Sequence, residues 1–277
     1  MAYLQAGVSP PFKFDPDANA DKGVELSAAY AAAEPFPHVA IDDFLPPAIL
    51  DYCLAHFPSG TDPDGRVFDR AQERGNASFN PDYLTPELAS LFYAFNTRPF
   101  VRFLENLTGL KGLIPDPYFL GAGFHEVRQG GNLSVHADFN HHQRMDLERR
   151  LNVLIYLNED WRPDYGGQLE LWDREMKTAV RIIDPVFNRA VVFTTTSESW
   201  HGNPRPVAHP DGVSRRSIAL YYYTATWNEA SSAKTKQFRV RPDSDDKADR
   251  RVKSEELITE YFPPFMARRL VRLARRF

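Results

Sequence analysis

Six of the eight histidines lie between His125 and His209. Among them, His136 and Asp138 stand two residues apart, and residues i and i+2 of a strand point to the same face. An imidazole and a carboxylate would therefore project together. A second imidazole, His201, follows the apolar run Ala190-Val191-Val192-Phe193. Two imidazoles and one carboxylate on one face of an octahedron leave three positions open, the arrangement of non-haem Fe(II) oxygen chemistry. A structural zinc site closes four positions, preferably with thiolates, and Cys53 is the sole cysteine. The His-x-Asp tripeptide alone arises often by chance. Support comes from Arg215-Arg216-Ser217-Ile218-Ala219-Leu220-Tyr221-Tyr222-Tyr223, a run with strand character. Alternation puts Arg215, Ser217 and Ala219 on one face and Arg216, Ile218 and Leu220 on the other. A guanidinium followed two residues later by a hydroxyl can clamp a carboxylate.

Holding such groups together takes a β-rich body. From Tyr118 onward, short runs recur at 118–127, 133–138, 151–157, 168–172, 179–184, 189–195 and 216–226. Turn clusters separate them: Gln129-Gly130-Gly131-Asn132, Asp164-Tyr165-Gly166-Gly167 and Gly202-Asn203-Pro204. This spacing predicts a sandwich or jelly roll. Upstream, Leu88, Leu91, Phe92, Phe95 and then Phe100, Phe103, Leu104, Leu107 recur at three and four, which predicts two amphipathic helices. Residues 37–41 read as a short strand and 42–56 as a segment opening a helix. Residues 1–35 read as a loose arm leading into a helix, and 60–82 as a long loop. The expected division is 1–115 for arm and supporting helices, 116–228 for the core, and 229–277 for a C-terminal extension.

The chain has 277 residues and a net charge of −4, with 43% hydrophobic and 25% charged residues. Those values match an ordinary globular protein and give no electrostatic reason to expect nucleic acid as a partner. A lone cysteine excludes an internal disulfide, and the N-terminus lacks a basic start and apolar core, so a cytoplasmic setting is expected. The arginine-rich stretch Pro264–Phe277 is a candidate basic amphipathic helix. It could dock on the core or meet anionic lipid or an acidic partner, and docking is favoured because one short apolar stripe anchors weakly.

The stretch from about His125 to Trp227 resembles the 2-oxoglutarate- and Fe(II)-dependent dioxygenases, especially their prolyl hydroxylase-like branch. The landmarks occur in family order. They are His136-x-Asp138, Tyr156-Leu157-Asn158-x-Asp160-Trp161, Gly166-Gly167-x-Leu169-x-Leu171-Trp172, Pro185-x-Phe187-x-Arg189, His201 and Arg215-x-Ser217. The resemblance implies a mainly β fold with flanking helices (α+β) and a double-stranded β-helix core of jelly-roll or cupin-like type. It implies that His136, Asp138 and His201 bind Fe(II) and that Arg215 pairs with the distal carboxylate of 2-oxoglutarate. Arg216 is the rival for that role. Tyr156 and Ser217 would reach the same carboxylate. Asn152, which shares a face with Leu154 and Tyr156, is either a further contact or a satisfied core asparagine.

The implied reaction hydroxylates an unactivated C–H bond with O2 and releases succinate and CO2, with ascorbate a candidate reductant. The intact Asp138 favours hydroxylation over halogenation, because halogenases of this family lose that carboxylate. A prolyl residue of a peptide or protein is the nearest analogy for the unidentified substrate. The rivals are a small metabolite or a sugar or lipid intermediate. A non-catalytic cupin-like metal-binding protein would keep the triad but would not need Arg215 and Ser217. A zinc hydrolase would need a general base that the sequence does not offer. His141 and His142 read as substrate-side or exposed, His125 as a core residue or one behind the ligands, Gly166-Gly167 as a tight turn, and Trp200 as pointing away from the metal.

Overall fold

Alternating burial along the strands sets the architecture. The computed structural model describes residues 1–58, 65–226, 233–244 and 246. Among them the strands run β1 (His38–Ile41), β2 (Arg66–Arg70), β3 (Glu73–Phe79), β4 (Ile114–Pro115), β5 (Gly123–Ala137), β6 (His141–His142) and β7 (Leu147–Tyr156). They continue with β8 (Leu169–Trp172), β9 (Ala179–Ile183), β10 (Ala190–Thr194), β11 (His201–Asn203), β12 (Arg215–Thr224) and β13 (Gln237–Phe238). The helices are α1 (Ala20–Ala31), α2 (Pro47–Ala55), α3 (Pro86–Phe95) and α4 (Arg98–Thr108). The order β1-β10-β7-β12-β5-β11-β8-β9 is antiparallel throughout and nearly closes on itself. The core is thus a double-stranded β-helix, mainly β with flanking helices.

Strand β5 belongs to both walls. Its first half pairs with β12 through Gly123 to Val127, and its second half pairs with β11, where His136 faces His201. The expected turn at Gln129–Asn132 is instead a bend inside this single strand. Gly130 has φ +75°, and a Cβ on Gly131 would come within 2.7 Å of the carbonyl oxygens of Arg128 and Arg74, so glycine permits both the bend and the close approach of β3.

One face of the β10-β7-β12 wall is apolar. Leu151, Val153 and Ile155 of β7, Ile218, Leu220 and Tyr222 of β12, and Ala190 and Val192 of β10 pack with α3 and α4 in the main core cluster. Each such buried side chain contributes about 1.5–3 kcal/mol. Helix α3 starts where Thr85 Oγ1 accepts from the Leu88 N–H, and α4 ends at left-handed Gly109. Both helices lie where the heptad-like spacing puts them.

Two expectations are corrected. Residues 1–19 are not a loose arm: Leu4, Phe12 and Phe14 are buried, and the Phe14 ring lies 5.0 Å from Phe100 and 5.3 Å from Phe95. Apolar burial holds this irregular segment without a periodic signal. Within 60–82, the expected loop contains the hairpin β2–β3, and β3 continues the sheet beside β5. The hairpin's side chains are mostly polar and β2 is largely exposed, so backbone pairing defines it without hydrophobic alternation. No helix among the described residues is long and apolar enough to cross a membrane. The candidate helix at 264–277 lies outside the described residues.

Candidate active site

His136 and Asp138 sit at and just past the end of β5, and His201 opens β11 directly opposite His136. Strand pairing therefore joins residues far apart in the chain. One ligand atom from each of the three falls within 4.8 Å of the others, and all three residues are buried. His136 Nε2 lies 3.6 Å from Asp138 Oδ1, and His201 Nε2 lies 3.3 Å from Asp138 Oδ2. The two imidazoles are held alike. His136 Nδ1 is 2.9 Å from the Ser134 carbonyl and His201 Nδ1 is 2.9 Å from the Ser199 carbonyl. A carbonyl only accepts, so Nδ1 carries the proton and donates, leaving each Nε2 lone pair to face its neighbours. Burial, then Lys236 and His201, push the His136 pKa down to about 4, which keeps the ring neutral. Two imidazole nitrogens and one carboxylate fit an open-faced divalent iron site.

Asp138 does not stand alone. Its Oδ2 accepts from Arg149 Nη2 at 3.0 Å and from Asn152 Nδ2 at 2.7 Å. Burial raises the acid's pKa, but the Arg149 guanidinium, the largest opposing influence, outweighs it and holds the carboxyl well below the usual range. Asn152 is thus turned to Asp138, and its Oδ1 accepts from Arg149 at 2.6 and 3.1 Å. Charge-assisted partners thus engage both ends of its amide, as in a satisfied core asparagine, while the residue also lines the cavity.

The remaining predicted residues gather about Arg215. Arg215, Ser217, Asn152, His136, Asp138 and His201 line one cavity with an empty volume of about 740 Å3, part of it open to solvent. Arg215 is buried, and its Nε donates to the Gly167 carbonyl at 2.8 Å. No carboxylate among the described residues lies within salt-bridge distance of it. Burial lowers its pKa, opposed only by Tyr156. The Tyr156 ring centre is 4.9 Å from the guanidinium carbon. The Tyr156 hydroxyl is buried without a hydrogen-bond partner. Gly167, left-handed at φ +70°, does more than turn the chain. A Cβ there would come within 2.9 Å of Arg215 Cδ, so glycine makes room for the arginine it anchors. Arg216 points to the other face, its guanidinium 4.7 Å from the Phe57 ring and 3.7 Å from Glu126.

Several lining residues escaped sequence reading, among them three that bring further segments to the cavity. Phe68 and Glu73 come from the β2–β3 hairpin, and Lys236 precedes β13, which pairs with the end of β5 at His136 and Ala137. Lys236 Nζ lies 3.6 Å from Glu73 Oε1, joining the two segments at the rim. Their only sequence signal was charge within stretches read as loop. His125 lines the cavity beside Ser217, which faces it across β5 and β12. His142 is fully buried, 3.4 Å from Asp116, and His141 pairs with Asp146 at 2.9 Å, so neither joins the triad. Trp200 packs with Val135, Ala137, Trp172 and Met176, away from the ligand atoms.

Residues 122–223 match the family model of the 2OG-Fe(II) oxygenase superfamily. No curated protein matches the sequence. Among solved structures, a prolyl hydroxylase from Trichoplax adhaerens, in complex with a hypoxia inducible factor oxygen degradation domain peptide fragment, is 21% identical with a TM-score of 0.56. That alignment covers 77% of this chain and 94% of the other. A prolyl 4-hydroxylase from Phytophthora capsici is 15% identical with a TM-score of 0.54, over 82% of this chain and 70% of that one. These two likenesses establish the fold.

Proposed function

We propose, from the premise that residues 122–223 are a 2OG-Fe(II) oxygenase domain and the chain a dioxygenase of the hydroxylase kind, an assignment of its site. His136, Asp138 and His201 hold Fe(II). Arg215, with Ser217 and Tyr156, holds the distal carboxylate of 2-oxoglutarate. The observation that carries this reading is a buried guanidinium without a carboxylate partner in the cavity that holds the triad. Burying an unpaired cation costs several kcal/mol. A dicarboxylate arriving through the cavity relieves that cost at one end and leaves its 2-oxo acid end for the metal. The unpartnered Tyr156 hydroxyl beside Arg215 supports the same end of the ligand.

Iron and cosubstrate, when bound, supply the oxidising chemistry. One oxygen of O2 enters the substrate C–H bond as hydroxyl and the other enters succinate, with CO2 released. The chain's own part is to aim both imidazoles, to fix the carboxylate and to orient the cosubstrate between Arg215 and the triad. The substrate is a prolyl residue of a peptide, an assignment supported by the fold shared with a peptide-bound prolyl hydroxylase. A cytoplasmic setting suits a free, buried Cys53.

Anaerobic titration of the protein with Fe(II) and 2-oxoglutarate tests the site through the weak visible band of the metal–2-oxo acid chelate. A folded, iron-loaded protein without that band overturns the cosubstrate assignment. Succinate release raised by a proline-containing peptide, and not by its alanine counterpart, tests the substrate class.

A further inference from the structure

Arg149 is the most deeply buried cation near the triad, and regular strand alternation would aim it elsewhere. Leu151, two residues on in β7, faces the helices, so an unbroken strand would put Arg149 on that side too. The strand is not regular. Tyr222 of β12 pairs with Leu151, but the next residue, Tyr223, pairs with Arg149. Arg150 is therefore an extra residue, a bulge that reverses the parity of everything before it. The bulge brings Arg149 to the side of Asn152, where both reach Asp138. Two rings then fix the guanidinium, with Tyr221 at 3.6 Å and Phe139 at 4.4 Å from its carbon.

The two donors fall on the same oxygen. Arg149 Nη2 and Asn152 Nδ2 both donate to Asp138 Oδ2. Both oxygens border the imidazoles, Oδ1 at 3.6 Å from His136 Nε2 and Oδ2 at 3.3 Å from His201 Nε2. But a carboxylate oxygen offers about two lone-pair sites, so the two donors occupy Oδ2 and leave Oδ1 with capacity for a metal. We infer that Arg149 and Asn152, aimed by the Arg150 bulge, are positioning residues that commit Asp138 to binding the metal through Oδ1 alone. The inference rests on the site reading given above. Its consequence is a count of positions. Two imidazoles and a one-oxygen carboxylate leave three, enough for the two oxygens of 2-oxoglutarate and for O2. A carboxylate free to swing both oxygens onto the metal leaves only two and competes with the cosubstrate.

The prediction is therefore lopsided: removing Arg149 weakens 2-oxoglutarate without weakening the metal. Co(II), with its visible spectrum, is the probe. Wild type, Arg149→Met, Arg149→Lys and Asn152→Ala are each titrated with Co(II), and the loaded proteins are then titrated with 2-oxoglutarate. In Arg149→Met we expect Co(II) affinity equal to or tighter than wild type and an altered Co(II) spectrum before cosubstrate is added. 2-Oxoglutarate affinity should fall about tenfold or more, with Arg149→Lys restoring most of it. Unchanged 2-oxoglutarate affinity in a folded Arg149→Met protein overturns the inference. So does a parallel fall in Co(II) and 2-oxoglutarate affinity, the mark of a merely structural role. Should Arg149→Met not fold, Asn152→Ala is judged by the same two outcomes. A wild-type protein that binds neither Co(II) nor 2-oxoglutarate refutes the site reading itself. Variants that bind both as wild type does refute only the role of Arg149 and Asn152.

Discussion

The two faces of the β7–β12 pair are made from alternate residues of the same strands, and they obey opposite rules. On the helix side, Leu151, Val153, Ile155, Ile218, Leu220 and Tyr222 are all buried, and the one polar atom, the Tyr222 hydroxyl, donates to the Phe95 carbonyl at 2.9 Å. On the cavity side stand Asn152, Tyr156, Arg215 and Ser217, with a hydroxyl and a guanidinium that find, among the described residues, no hydrogen-bond partner and no counter-ion respectively. One face is closed and satisfied. The other is left incomplete in a way that specific ligand atoms would complete. Substitutions on the first face should therefore cost stability, and substitutions on the second should cost binding, sometimes with a gain in stability.

The largest break in that contrast is expected at the triad. His136→Ala removes a ligand atom but no ion pair essential to the fold, so 2-oxoglutarate turnover should vanish while thermal melting of the metal-free protein changes little. Succinate production at the wild-type rate would remove His136 from the site. Asp138→Ala is a less clean probe, because it also strips Arg149 of its buried partner, a loss worth about 3–5 kcal/mol. On the opposite face, Phe100→Ala should cost about 3–5 kcal/mol of stability. Its ring is fully buried among Phe14, Phe95, Phe103 and Tyr222. Denaturant unfolding checks the cost, and the folded fraction should bind 2-oxoglutarate as wild type does.

Arg215→Met sharpens the comparison further. It deletes a buried cation that has no counter-ion among the described residues, so the metal-free protein should melt at the same temperature or higher. 2-Oxoglutarate should bind about a hundredfold more weakly, the loss expected when a desolvated charge pair of about 3 kcal/mol is removed. Calorimetric titration and a melting curve on the same sample separate the two effects. Equal 2-oxoglutarate affinity would detach Arg215 from the cosubstrate.

What alternation governs, the sequence displayed. Arg215-x-Ser217 was readable because the pair sits on one face of a regular strand, and His136-x-Asp138 because the alternation of β5 carries one residue past its end. His201 was readable because an apolar strand leads up to it. Arg149 was not, because the Arg150 bulge inverts its face and nothing in the residue types marks a bulge there. Glu73 and Lys236 were hidden for a related reason. They reach the cavity from a polar hairpin and a two-residue strand, held by backbone pairing that leaves no hydrophobic pattern. The N-terminal arm failed differently. Leu4, Phe12 and Phe14 are deeply buried, but their irregular spacing among prolines carries no period.

A smaller effect belongs to Tyr156. Tyr156→Phe removes a buried hydroxyl that makes no close hydrogen bond among the described residues and has only the Arg215 guanidinium nearby. Stability of the metal-free protein should therefore change by no more than about 1 kcal/mol. If that hydroxyl meets the cosubstrate carboxylate, 2-oxoglutarate affinity should fall about threefold to tenfold, the worth of one hydrogen bond near 1 kcal/mol. Unchanged affinity would leave Tyr156 as packing against Arg215.

The smallest effect expected is at Arg216, and it tests strand register. Arg216 lies one residue from Arg215, and a slip of one residue would exchange their faces. The structure gives Arg216 a cation–ring contact with Phe57, a loose pairing with Glu126 at 3.7 Å and a partly exposed side chain. Glu126 is buried but keeps Ser214 Oγ at 2.7 Å and Arg128 as partners without Arg216. Losing this loose, half-exposed contact therefore costs about 1 kcal/mol or less. Its firm contact is made by the backbone, where the Arg216 N–H donates to Asn158 Oδ1 at 2.6 Å, and substitution by alanine keeps that bond. Arg216→Ala should therefore lower stability by less than about 1 kcal/mol and leave 2-oxoglutarate affinity unchanged within error. Measured beside Arg215→Met, a large binding loss at Arg216 with none at Arg215 would place β12 one residue out of register. Ser217 would then leave the cavity with Arg215, and the clamp assigned to the pair would fall with it.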